Sequence, residues 1–501
     1  MTAVDEERTE ARTRAEMFIA GDHRLLVGGQ WVDSERGETF ETRDPATEEV
    51  LAEVPLAAEA DVDRAVRAAS AALEPSAPWA AMSHAERGRL VWRLGDLIEE
   101  NADIFSFIDS YDNGKPVGHA RGDAMYAADL FRYMAGWATK LEGRSLPINA
   151  IPGPGASLAY TLREPVGVTA QIIPWNFPLA MIAWKLAPAL AAGVSVILKP
   201  AEQTPLSALL VGNLIQDAGF PPGAVNILTG PGSTGALLAA HPGVDKVAFT
   251  GSTEVGRSIV RAAAGNLKKV SLELGGKSPC IVFDDADLDV AIPGATAAAL
   301  FNVGQCCTAA QRLYVQDAVY DDVVAGISEQ AGRIRLGRGV EAESDMGPLI
   351  SAAQRDKVLG LIETGVDDGA EIVAGGNSSK FERGYFVEPT VLVNARQGTS
   401  ITTEEIFGPV VCPVPFQAND DFVALANDSR YGLAAGIFTR DLERAHRTAA
   451  LSRAGTVWVN TYNLNDPGVP FGGYKESGWG RDMGEEAVAG YLETKSILVT
   501  Y

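Results

Sequence analysis

Two adjacent cysteines, Cys306 and Cys307, lie in the stretch FNVGQCCTAAQR, and only Cys280 and Cys412 accompany them in the chain. So few thiols make no disulfide framework, and sequence neighbours cross-link only in strained geometry. A thiol is slightly ionised near neutral pH and strongly nucleophilic, so a well-placed sulfur here can carry covalent catalysis. The plainer reading is a small buried hydrophobe. A nucleophile needs partners, and two candidates stand elsewhere. Glu273 in LELGGKSP ends an apolar run before two glycines. A partly desolvated carboxylate there has a raised pKa and suits general-base work, or else it caps a helix or pairs with a cation. Asn176 in PWNFP can cap a helix or offer its amide to an oxyanion.

Two glycine-bearing turns compete for a phosphate. TGPGSTG spells G-x-G-x-x-G through Gly230, Gly232 and Gly235, but the acidic residue expected about 20 positions on would be Glu254, at a helix start rather than a strand end. KVAFTGSTEVG fits better: a strand ends at Thr250, Gly251 turns, Ser252 can cap, and a helix begins with its free N–H groups at the strand's carboxyl edge. A well-capped helix without a ligand would read the same way.

The surrounding elements must bring these residues together. From Pro165 onward, apolar strands (VGVTAQIIP, VSVILKP, AVNILTG, KVAFTG, KVSLELGG) alternate with amphipathic helices. That pattern predicts right-handed βαβ units and a parallel sheet covered on both faces, with ligands at the carboxyl ends of its strands. A second α/β region spans about 275–473, and YLETKSILVTY reads as an edge strand. Before them come short strands over 24–56, helices from about 60 to 141, and a Pro/Gly-punctuated extended hairpin at 142–162.

A length of 501 residues suggests two or three domains, and a net charge of −23 without a basic stripe argues against nucleic acid and anionic membranes. No apolar run is long enough to span a bilayer. The opening MTAVDEERTEARTRAEMF is too charged for a secretory signal and reads as a solvated helical extension. With few cysteines, a reducing cytoplasm is expected. His23, His84, His119, His241 and His446 are scattered without metal-ligand spacing, so no metal is expected.

In order and spacing, PWNFPLAMIAWKLAPALAAG, FTGSTEVG, LELGGKSP and FNVGQCCTA resemble the NAD(P)-dependent aldehyde dehydrogenase superfamily, and KPAEQTPL, EEIFGPVV and PFGGYKESGWGRDMG extend the match. The resemblance implies a Rossmann-like doubly wound parallel sheet for the cofactor (25–141 and 163–272). It also implies a second α/β catalytic domain (273–484), a small β oligomerisation element (142–162 and 485–501) and an extension (1–24). It makes Cys307 the nucleophile, Glu273 the base and Asn176 the oxyanion donor. Gly251, Ser252 and Gly256 would form the phosphate turn, with Trp175 along the cofactor path. Lys199 and Glu202 would meet the adenosine ribose, and Glu405 and Phe407 the nicotinamide ribose. A carboxylate at Glu202 favours NAD over NADP. Lys185 and Asp482 match a proton relay, although Asp482 is shorter than the glutamate common there.

The acyl pocket would be lined by Phe177, Met181, Trp184, Phe301, Asn465 and Phe471, favouring an apolar or aryl aldehyde. The pattern is similar to bacterial phenylacetaldehyde dehydrogenases, with betaine-aldehyde and broad aliphatic relatives close by. An unpaired edge strand implies a homo-oligomer, a dimer or tetramer. A catalytically silent structural member and a cofactor-free hydrolase are the rival readings. Retention of Cys307, Glu273 and Asn176 opposes the first, and the Lys199, Glu202 and Glu405 set opposes the second.

Overall fold

A computed structural model describes residues 3–148, 157–378 and 381–500. Its first sheet has five parallel strands at its centre, running across the sheet as Val225–Ile227, Ser195–Lys199, Val168–Ile172, Lys246–Thr250 and Lys269–Glu273. In chain order that is 3-2-1-4-5, so the winding reverses between the first and fourth strands. The loops after those two strands diverge there and leave a crevice. The strands Val168–Ile172 and Ser195–Lys199 are buried throughout. Full burial accounts for their unbroken apolar character, since helices cover both faces.

The second sheet has seven strands, in the order Glu371–Ala374, Thr390–Val393, Val410–Phe416, Arg312–Gln316, Pro279–Val282, Ala434–Phe438 and Thr456–Val459. All its neighbours are parallel except the first pair. Strand Lys269–Glu273 of the first sheet leads through Gly275-Gly276 directly into Pro279–Val282 of the second. The carboxyl edge of one sheet thus meets the amino edge of the other. Gly478–Trp479, within the segment assigned by sequence to the second unit, returns to pair antiparallel with Leu272 and Glu273 in the first sheet.

Four helices follow the early strands, at Glu59–Ala72, His84–Glu100, Ala102–Asp112 and Val117–Ala135. Residues 149–156 of the expected hairpin lie outside the described residues. Its return strand, Ser157–Pro165, pairs antiparallel with Leu492–Thr500 along its whole length, and Leu492–Thr500 forms the outer strand of a small three-stranded sheet. Tyr501 also falls outside the described residues. Among the described residues no helix is long and apolar enough to cross a membrane, and no cluster of three or more His, Cys, Asp or Glu could hold a metal ion.

The N-terminal segment differs from expectation. Helix Ala3–Ile19 is docked rather than merely solvated: Ala11, Ala15 and Ile19 are buried against helix Ala102–Asp112, and the Tyr111 hydroxyl donates to Glu16 Oε1 at 2.5 Å. One turn of spacing between these three residues makes an apolar stripe too narrow to stand out among the charges. Ala15→Asp should release the helix, costing roughly 2–3 kcal/mol for a carboxylate forced into this contact. Hydrogen exchange should then accelerate over residues 7–19; unchanged protection there would refute the docking.

Candidate active site

The crevice at the reversal of the first sheet holds a cavity of about 480 Å³. One wall is Pro174 to Phe177, which follow strand Val168–Ile172; the opposite wall is Thr250 to Ser252, which follow Lys246–Thr250. Glu273, the last residue of the next strand, and Cys307 complete it, together with Glu405 and Phe407 ahead of strand Val410–Phe416.

Cys307 is half-buried and Cys306 is buried. Both follow a turn in which Asn302, Val303 and Gly304 have φ of 52°, 61° and 66°. Left-handed backbone is a conformation that a β-branched residue adopts only at a cost. Asn302 ties this turn to the opposite wall: its amide donates to the Asn176 carbonyl at 2.8 Å and to the Gln305 carbonyl at 3.3 Å. Asn176 answers by donating to the same Gln305 carbonyl at 3.0 Å. It does not cap the following helix, whose N-cap is Phe177. An amide has two N–H donors, so the second N–H of Asn176 is left to serve the cavity. Close approach at the back of the cysteine loop depends on Gly276, where a Cβ would lie 2.3 Å from the Cys307 carbonyl oxygen.

Cys306 Sγ lies 3.0 Å from Thr308 Oγ1, which donates to Asn463 Oδ1 at 2.7 Å. The Cys307 thiol is pushed well above its ordinary range by its hydrogen bond to Cys306 and by burial. Glu273 is also raised well above the usual carboxyl range, first by burial and then by the nearby Asp482 carboxylate, against the pull of Lys185 and Arg481. Its Oε2 is buried without a hydrogen-bond partner, which leaves it available to a water or a proton.

One end of the cavity is aromatic. Phe177 stacks on Phe301 with centroids 6.0 Å apart, and Trp184 meets Phe471 edge-on at 4.9 Å, with Met181 beside them. The Lys115 ammonium sits 4.4 Å from the Phe177 ring centroid and is paired with Asp123 at 2.6 Å. Asn465 also lines the cavity. So do Tyr126, Asp123, Asn463 and Leu464, which carry no motif and were missed in the sequence. Tyr126 and Asp123 arrive on helix Val117–Ala135, packed against Pro178–Ala192. Only their i, i+3 spacing on that helix could have hinted at a shared face.

Toward the other end, Trp175 and Phe407 stand edge to face at 5.3 Å. Ser252 caps helix Thr253–Ala263 through Oγ to the Val255 N–H at 3.3 Å, which aims the helix N-terminus toward the crevice. Gly256 is buried in that helix against Leu274 and does not line the cavity. Lys199 and Glu202 also lie outside it, beyond the end of strand Ser195–Lys199, with Nζ and Oε2 3.4 Å apart. Burial lowers the Lys199 ammonium. Glu405 Oε1 accepts from the Gly276 N–H at 2.9 Å, and burial raises its carboxyl. Lys185 and Asp482 sit behind Glu273, buried and paired at 2.6 Å. Gly230 of the rival turn precedes helix Gly232–Ala240 and Gly235 lies within it, both outside the cavity, and Glu254 is exposed.

A nicotinamide dinucleotide fits this arrangement. A capped helix N-terminus faces the anionic middle, Lys199 and Glu202 offer polar groups at one end, and Glu405 and Phe407 stand near Cys307 at the other.

Comparison with known proteins agrees with this geometry. The profile described as "Aldehyde dehydrogenase family" matches residues 31–497. The mitochondrial aldehyde dehydrogenase of Rattus norvegicus is 47% identical over 480 residues, 95% of this chain and 91% of that protein. The NAD+ complex structure of an aldehyde dehydrogenase from Bacillus cereus superposes with a TM-score of 0.94 at 47% identity, covering 97% of this chain and 98% of that one. A betaine aldehyde dehydrogenase from Staphylococcus aureus in complex with NAD+ gives a TM-score of 0.92 at 38% identity, covering 95% and 94%.

Proposed function

The chain belongs to the aldehyde dehydrogenase family, and on that premise we propose that it oxidises an apolar or aryl aldehyde to the acid with NAD, through covalent attachment to Cys307. The observation that carries this reading is the convergence of Cys307, Glu273 and Asn176 on one cavity that also contains Glu405 and Phe407. The Cys307 thiolate adds to the aldehyde carbon, and the free Asn176 N–H stabilises the oxyanion. Bound NAD, held by Trp175, Lys199, Glu202, the 250–256 turn, Glu405 and Phe407, supplies a hydride acceptor. The thioester left on Cys307 is hydrolysed by a water whose proton passes to Glu273.

The stacked Phe177–Phe301 pair and the Trp184–Phe471 edge favour a flat apolar group such as that of phenylacetaldehyde. Glu202 disfavours the 2′-phosphate of NADP. We assign the segments 142–162 and 485–501 to a homo-oligomer interface in a cytoplasmic enzyme.

NADH formation with aryl, aliphatic and trimethylammonium aldehydes tests the reading. Phenylacetaldehyde with NAD should give the highest kcat/KM. No NADH from any of them would refute the dehydrogenase function, and a lead for betaine aldehyde would refute the aryl assignment.

A further inference from the structure

The loop that follows strand Thr456–Val459 lends Asn463, Leu464 and Asn465 to the cavity wall. It is braced twice. Asn460 Oδ1 accepts from the Thr439 N–H at 3.0 Å while its Nδ2 donates to the Thr439 carbonyl at 2.9 Å. The Trp458 indole donates to the Leu464 carbonyl at 2.8 Å. Between these braces, Tyr462 and Asn463 hold the buried Thr308 by its two polar ends. The Tyr462 hydroxyl donates to the Thr308 carbonyl at 2.7 Å, and Thr308 Oγ1 donates to Asn463 Oδ1 at 2.7 Å. Thr308 Oγ1 also lies 3.0 Å from Cys306 Sγ, next to the nucleophile.

These contacts leave one arrangement of protons. An amide oxygen only accepts, so the single hydroxyl proton of Thr308 is committed to Asn463. Between Cys306 and Thr308 the donor is then the Cys306 S–H, and the Cys306 lone pairs are left to face Cys307. We propose that Thr308 and Asn463 are positioning residues that fix the direction of the hydrogen bond between the two sulfurs, with Cys307 as its donor, so that the resting nucleophile holds its proton. This rests on the role of Cys307 in the function proposed above.

The ionisation of the pair has the same sense. Their mutual hydrogen bond is the largest influence on both thiols, raising Cys307 and lowering Cys306, as follows when Cys307 donates and Cys306 accepts. The other titratable groups facing the two sulfurs are Glu273 and Glu405 toward Cys307, Lys115 toward Cys306, and the Tyr462 phenol. Thr308 and Asn463 carry no charge, so they act on Cys307 by steering the Cys306 proton. Without the Thr308 oxygen, that proton is free to turn toward the Cys307 sulfur, where it favours the thiolate.

The test is the pH dependence of Cys307 alkylation by iodoacetamide in the full-length enzyme, followed at that residue by mass spectrometry. Thr308→Val keeps the shape but removes the acceptor. Asn463→Leu frees the Thr308 hydroxyl to donate to Cys306, which turns the Cys306 proton toward Cys307. Each should move the half-maximal rate about one pH unit lower, the effect of one hydrogen bond. Thr308→Ser keeps the hydroxyl and should restore the wild-type profile. In a Cys306→Ala background Thr308→Val should add nothing, because the proton it steers is gone; a purely structural role would not depend on Cys306. An unmoved profile in both Thr308→Val and Asn463→Leu, a move to higher pH, or an equal move with Cys306 absent would overturn the proposal. Complete Cys307 alkylation that leaves NADH formation intact would instead overturn the proposed reaction.

Discussion

Cys307→Ala is expected to lower kcat by about 10⁴-fold or more with every aldehyde, because removing a covalent nucleophile removes the whole pathway rather than one of its aids. The fold should survive, since the side chain is small and half-buried. Cofactor binding, read as quenching of tryptophan fluorescence by NAD, should persist. Cys306→Ala is the informative control. It leaves the nucleophile in place but removes the hydrogen bond that is the largest influence raising Cys307. The pH profile of Cys307 alkylation should therefore move to lower pH. If Cys306→Ala proved the inactive variant and Cys307→Ala retained turnover, the two sulfurs would have exchanged roles and the assignment would fail.

Glu273→Gln should separate the two halves of the reaction. Oxidation does not need the carboxylate, so a burst of NADH close to one per active site should remain. Steady-state turnover should fall roughly 10²–10⁴-fold, the range for loss of a positioned base, and an acyl adduct on Cys307 should become visible by mass spectrometry. The pH sense follows from the raised carboxyl. Only the ionised form accepts a proton, and burial with Asp482 holds that form back until pH rises past the elevated value. Wild-type deacylation should climb through this region, and the climb should vanish in Glu273→Gln. Asp482→Asn removes the charge that raises Glu273 and frees Lys185 to lower it, so the climb should shift to lower pH. A shift upward would contradict the electrostatic account.

Much of the candidate site was legible because its residues sit at the ends of strands and helices, in short motifs. Cys307 and Asn176 sit in turns and Glu273 ends a strand, each beside a short motif, and their order along the chain carried the rest. The parallel core was equally readable, since strands buried on both faces are apolar without interruption. What escaped depends on tertiary placement. Tyr126 and Asp123 look like ordinary residues of an amphipathic helix until that helix packs beside the cavity. Asn302 carried no signal as a clamp: asparagine tolerates its left-handed backbone readily, but its partners Asn176 and Gln305 meet it only in the folded chain.

That backbone has a further consequence. Val303, 2% exposed and packed in the second core with Ala298 and Leu300, holds a φ that glycine would adopt more easily. Such a residue costs of order 1–3 kcal/mol, and only the surrounding packing sustains it. The cost falls on folding, before any aldehyde arrives. The sulfur is thereby preorganised: an incoming carbonyl meets a nucleophile already in place, and its binding free energy is left for reaction rather than for reshaping the loop.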